Sequence, residues 1–240
     1  MENKNGQGIF YGVIGVATLV VAIIGATFAY FSASAQSTSD ITGQTLGGSG
    51  GVLGLQVSKV DFGTTGATSN DLVPTNINTQ ALIQSAINNK CVAPATAGDS
   101  TGTVYTGCHL YTIHATSQSA VNGATLALTS LTATVPTGGD ATKWHYALFE
   151  ATENSGTYAV SSMLNSTPAV FPGASASVKL IDDDDLTAGY DHTFYMLVYV
   201  ENVATSQNSG GSTDVTGSYQ GTISFTTSEG AEVQATFSAS

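Results

Sequence analysis

From Cys108 to the C-terminus, apolar and polar residues alternate with period two in short runs broken by turn formers. That pattern constrains the fold more than anything else in the chain, because period two is the signature of half-buried strands. HLYTIHAT sets Tyr111, Ile113 and Ala115 on one face. TKWHYALFEA sets Trp144, Tyr146 and Leu148 on one face and His145, Ala147 and Phe149 on the other. HTFYMLVYV, His192 to Val200, is apolar on both faces, as a strand at the centre of a packed sheet would be. GTYAV, SVKLI, SYQGTISFTT and EVQATFSA supply further strands. In ATLALTSLTATV the apolar parity changes between Leu128 and Leu131, which predicts a bulge or tight turn near Thr129-Ser130. Upstream, Leu53, Leu55 and Val57 alternate, then Val60 and Phe62 resume after Ser58-Lys59, a strand with a bulge. One helix is expected at 79–89, where Leu82, Ile83, Ala86 and Ile87 share a face, Asn78 or Thr79 caps the start and Asn88-Asn89 close the end. The expected fold is mainly β, an antiparallel β-sandwich or jelly roll with one short helix.

A different pattern precedes this domain. Ile9 to Phe31 carries no charge and is almost wholly apolar, long enough to span a bilayer as a helix of about 20 residues. A short polar leader with Lys4 stands before it, and Ala33-Ser34-Ala35 ends it with small residues where a signal peptidase reads them. Residues 1–35 therefore read as a secretory signal peptide cleaved between Ala35 and Gln36, or, if uncleaved, as a membrane anchor. Both place the remainder outside: extracellular or at the cell surface, membrane-anchored in the second case. Residues 36–51 form a flexible Gly/Ser-rich arm, and 52–240 the β-sandwich domain.

Charge narrows the partners. Charged residues are 9% of the chain, arginine is absent and the net charge is −12. Such a chain is repelled by nucleic acid and by anionic lipid, and it lacks the guanidinium fork that grips phosphate. The two cysteines, Cys91 and Cys108, read as a disulfide in an exported chain. A metal site using His109 beside Cys108 is the rival, without a C-x-x-C or H-x-x-x-H to accompany it.

Catalytic signals are sparse. His109, His114, His145 and His192 fall in no H-E-x-x-H frame, and there is no G-x-S-x-G, so an extracellular metallopeptidase or other hydrolase is the third-ranked reading and no catalytic residue is assigned. Asp182 to Asp185 is the one dense charge run. Asp182 and Asp184, with Asp191, are calcium-ligand candidates, but the run lacks the register of an EF-hand, and a solvated, self-repelling loop between strands is the expected state. Asn165-Ser166-Thr167 fits a glycosylation sequon. Trp144, Tyr146, Tyr195 and Tyr199 are expected in the packed faces of the sandwich rather than on a sugar-stacking surface.

Several of these pieces occur together in order: GATFAYFSASA at the end of the signal, a strand, Asn70-Asp71-Leu72-Val73-Pro74, a short helix, Lys90-Cys91, Cys108-x-x-Tyr111-x-Ile113, the strand Tyr195 to Val200, Gln207-Asn208 and Ser218 to Ser224. In this the chain resembles the TasA/camelysin-like family of exported proteins of Gram-positive bacteria, whose signals are handled by a SipW-type signal peptidase. The resemblance implies a jelly-roll or sandwich domain displayed at the surface and, in some members, polymerisation into biofilm matrix fibres by strand addition between subunits. The donor here would be Gln36 to about Val60, with Val52, Leu53, Leu55 and Val57 as the inserted apolar positions. The implied partners are other copies or related surface proteins, the signal peptidase, and the membrane during export; no cofactor is implied. The alternative is a membrane-anchored monomeric binding module in which Val52 to Phe62 folds back into its own domain.

Overall fold

The computed structural model describes residues 53–62, 72–93, 105–135, 137, 139–165, 168–203 and 217–239. The apolar segment, Ala33, Ala35, Gln36, the arm and Val52 lie outside the described residues. In chain order the elements are β1 (Leu53–Lys59), α1 (Gln80–Asn88), β2 (His109–Ser117), β3 (Val121–Thr134), β4 (Trp144–Asn154), β5 (Thr157–Met163), β6 (Ala169–Val170), β7 (Val178–Leu186), β8 (Tyr190–Val200), β9 (Ser218–Thr226) and β10 (Glu232–Ala239).

The strands form two antiparallel sheets. One runs β1-β2-β8-β4-β5, with β6 also on β4; the other runs β10-β9-β3-β7. Between them lies one apolar core, and on the far side of the larger sheet α1 closes a second. The described residues thus form a mainly β, sandwich-like protein with one α-helix.

These layers explain why β8 is apolar on both faces. Phe194, Met196, Val198 and Val200 enter the inter-sheet core, while Tyr195, Leu197 and Tyr199 lie in the cluster with Ile83 and Ile87 of α1. The parity of β4 divides likewise: Trp144, Tyr146 and Leu148 face the inter-sheet core, and Ala147 and Phe149 face the helix side. All four aromatics at issue, Trp144, Tyr146, Tyr195 and Tyr199, are buried.

The helix forms where expected. Thr79 caps it by accepting from the Leu82 N–H at 3.3 Å, and Ile83 and Ile87 are its buried side chains. Leu82, placed on the apolar face by sequence, is instead 42% exposed. A helix lying on a sheet buries only a narrow stripe, and Leu82 falls at its margin. At the other end Lys90 and Cys91 take left-handed backbone, and the Cys91 N–H reaches the Ala86 carbonyl at 2.9 Å. That is the six-to-one closure that ends a helix.

The parity change at Thr129-Ser130 is a bulge, not a turn: β3 continues through it, and its register with β9 shifts between Leu128 and Ser130. In β9, Gly221 stands opposite Phe237 of β10. A Cβ there would come within 2.3 Å of Phe237 Cζ, so the ring fills the space a side chain would take. Phe237 in turn packs on Tyr111 of the facing sheet, ring centroids 5.0 Å apart. Gly221→Ala should destabilise the fold by about 1–3 kcal/mol through overpacking. In denaturant titrations the loss should shrink when Phe237→Leu is added; equal loss in both backgrounds would mean that the ring is not the obstacle.

Candidate functional site

The candidate strand-addition segment is β1. It pairs antiparallel with β2 from Leu53↔Ser117 to Lys59↔Tyr111. Leu53, Leu55 and Val57 are buried in the inter-sheet core. The bulge expected after Val57 does not form: the register runs on unbroken, the Val60 N–H donating to the Leu110 carbonyl at 2.8 Å, and Val60 and Phe62 lie on the opposite face of the strand, against the helix-side cluster. In the single chain, then, the segment completes its own sheet. Among the described residues it is also the first strand, stands at a sheet edge and pairs with one strand only.

Among the described residues each sheet has two edges: β1 at one side of the larger sheet and β5, with the two-residue β6, at the other; β10 and β7 in the smaller. Edges expose unpaired main-chain groups and invite other strands. On one side of the molecule both edges are guarded. Along β7 lies the Asp182–Asp185 run, in strand rather than in the expected loop. Its ladder with β3 breaks register repeatedly, and Asp183 has left-handed backbone with φ 56°. Sequence charge alone suggested a loop, yet an irregular edge strand solvates carboxylates equally well and uses them to repel pairing. The segment after β6 adds to the closure, since Gly173 and Leu131 exchange hydrogen bonds of 2.9 and 3.0 Å.

β5 is guarded by the helix. Asn88 accepts from the Tyr158 N–H at 2.7 Å and donates to the Tyr158 carbonyl at 2.9 Å. Gln84 accepts from the Val160 N–H at 3.0 Å, and Gln80 donates to the Val160 carbonyl at 2.9 Å. This row was missed in sequence. Its signal was three amides at successive helical turns beside the Ile83/Ile87 stripe. The other side of the molecule has no such device among the described residues: β1 and β10 simply run against each other.

The cysteines are joined. The Cys91–Cys108 disulfide spans 5.0 Å between Cα atoms, and both residues are buried. It ties the end of α1 to the start of β2 and closes a loop worth about 3 kcal/mol in chain entropy.

The calcium candidates are engaged separately. Asp182 bonds Lys179, Asp184 sits opposite Ala124, and Asp191, on the other sheet, lies 2.8 Å from His114 Nε2. The histidines are dispersed. His109 Nδ1 is 2.7 Å from the Tyr219 hydroxyl, which is 2.7 Å from that of Tyr111, a polar chain inside the core. His145 donates from Nδ1 to the Lys143 carbonyl and stacks on Tyr199. His192 Nε2 is 3.2 Å from Glu150. Among the described residues no three His, Cys, Asp or Glu side chains are placed to hold a metal ion. Asn165 is occupied structurally, accepting from the Leu148 N–H at 2.7 Å and donating to the Tyr146 carbonyl at 3.3 Å. The rest of its sequon lies outside the described residues.

No protein-family model, curated protein or solved structure matches the chain.

Burial raises the phenol pKa of Tyr146, Tyr158, Tyr190, Tyr195 and Tyr199 above its usual value, with Glu150 and Asp184 adding to the shift at Tyr190 and Glu201 at Tyr199. In the unfolded chain these groups ionise near pH 10. Their contribution to stability is therefore intact below about pH 10 and falls as pH rises through the folded-state values. Tyrosinate absorbance of these residues should appear together with unfolding; ionisation of all of them in a chain that stays folded would contradict their burial.

Proposed function

We propose that this chain is an exported, non-enzymatic structural protein of the cell surface or extracellular matrix that assembles by strand addition. In that assembly β1 of one copy leaves its own domain and takes the place beside β2 in the next. The observation that carries the reading is the position of β1 among the described residues: first of the strands, at a sheet edge, on the side that neither helix nor aspartates guard. Its removal would unpair only β2 and leave the order of the other strands intact.

The energetics favour exchange over loss. Leu53, Leu55 and Val57 are each worth about 1.5–3 kcal/mol of burial. A domain that gave up β1 without replacement would open its core. A domain that receives the same strand from a neighbour recovers those contacts and every main-chain bond of the ladder. Because donor and acceptor surfaces differ, the contact is heterologous and repeats into a linear polymer rather than closing as a dimer. A glycine-rich arm at 36–51 supplies reach at little steric cost.

Export by the signal at 1–35, cleavage before Gln36, jelly-roll connectivity and kinship with the TasA/camelysin-like proteins belong to the same proposal, as does display outside the cell. Electron microscopy of the exported protein tests it. Concentration-dependent filaments should form and should vanish on deletion of either 36–51 or 52–62. Filaments that survive both deletions would refute strand addition by this segment; detergent-dependent monomers would instead favour the membrane-anchored display module.

A further inference from the structure

The amide row on α1 does more than secure a helix. Tyr158 and Val160, two residues apart on β5, point their N–H and carbonyl groups out of the sheet, and all four groups are met by Gln80, Gln84 and Asn88. The double bond between Asn88 and Tyr158 reproduces the two-way exchange of a hydrogen-bonded pair in an antiparallel ladder. Only an amide side chain can both donate and accept in this way. The helix therefore stands where an eleventh strand would lie, and it does so with chemistry that is readily reversed.

Three observations bear on reversal. The helix has nine residues, too short to be stable alone, and no acidic first turn or basic last turn to support it. The disulfide tethers only its C-terminal end, to β2; along its length its hold on β5 rests on two buried side chains, Ile83 and Ile87, besides the amides, so that it can swing off that edge while staying tied. And β5 itself lacks the guards that β7 carries. Its exposed positions Thr157, Ala159 and Ser161 are small and uncharged, and it holds no proline. In a chain of net charge −12, β5 is, among the described edge strands of more than two residues, the one without an acidic or basic residue, along which two copies meet with least repulsion.

We propose that the edge of β5 is a second, latent self-association surface, held shut by α1, and that its occupant when α1 is displaced is β5 of another copy. Pairing is antiparallel about Ala159. Tyr158 of one copy then faces Val160 of the other and their outward groups bond, while the two Ala159 residues stand opposite each other as a non-hydrogen-bonded pair, about 4.5 Å apart at Cα. The contact is isologous and closes as a dimer, which sets it apart from polymer growth through β1. It does not depend on the strand-addition reading, because it uses neither the arm nor β1.

The test uses the full chain in mild detergent with a cysteine probe, Ala159→Cys, since a Cα separation near 4.5 Å permits a disulfide. Gln84→Leu, Asn88→Leu and the triple Gln80→Leu, Gln84→Leu, Asn88→Leu remove the bonds without lowering helix propensity. Hydrogen exchange at Val160 should quicken at least tenfold in Gln84→Leu and at Tyr158 in Asn88→Leu. Under mild oxidation the triple variant should give a disulfide-linked dimer that the chain with the native amides does not. Unchanged exchange at both amides in the single variants would overturn the gate. Rapid exchange without any linked dimer would overturn the assignment of β5 as the occupant. The single variants keep the test decisive if the triple variant fails to fold.

Discussion

An open β-sheet ends in main-chain groups that lack a partner, and the arrangement of this molecule follows from how it disposes of four such ends. Each unpaired N–H or carbonyl that is shielded from water costs about as much as a lost hydrogen bond, and each that is exposed offers a template to another chain. Two edges on one side are closed by different means: irregular register and aspartates on β7, a helix with an amide row on β5. The opposite pair, β1 and β10, lean on each other. The first of the described strands, at an edge that neither helix nor aspartates guard among the described residues, is the physical basis for reading the chain as an assembling protein.

The same constraint relates the two cores. Because α1 covers the outer face of the larger sheet, β8 and β4 can be apolar on both faces, and the sheet becomes the middle layer of three. The disulfide fixes one end of that cover to β2, across the sheet from β5. The helix thereby carries two duties, burying Tyr195, Leu197 and Tyr199 and pairing Tyr158 and Val160. With only 9% charged residues, the chain concentrates its densest charge on β7, an edge that no helix covers.

Much of this was legible as parity. The alternation of Trp144 to Phe149, the two apolar faces of His192 to Val200 and the bulge at Thr129-Ser130 are all set by which side of a strand faces water, which the residues record directly; the step from Val57 to Val60 misled, because both faces of an unbroken strand there are covered. The helix and its Thr79 cap were legible for the same local reason. What was not legible depends on neighbours distant in sequence. The Asp182–Asp185 run reads as a loop until its place at a sheet edge is known. Leu82 sits on the apolar side of a helical wheel, yet it falls at the margin of the narrow stripe that the helix buries, and is exposed. The row Gln80, Gln84, Asn88 acquires meaning only against Tyr158 and Val160, some 70 positions onward. The strand-donor reading was suggested by resemblance; the edge position of β1 is an independent physical reason for it.

Exchange of β1 between copies is tested most directly by the register of its own ladder. Gln56 and His114 stand opposite each other on β1 and β2, facing away from the inter-sheet core. In filaments of Gln56→Cys, His114→Cys protein, mild oxidation should link each copy to the next, giving a ladder of covalent multimers on a non-reducing gel. If the same filaments yield only monomers closed within one chain, β1 never leaves its own domain, and assembly by strand exchange is contradicted.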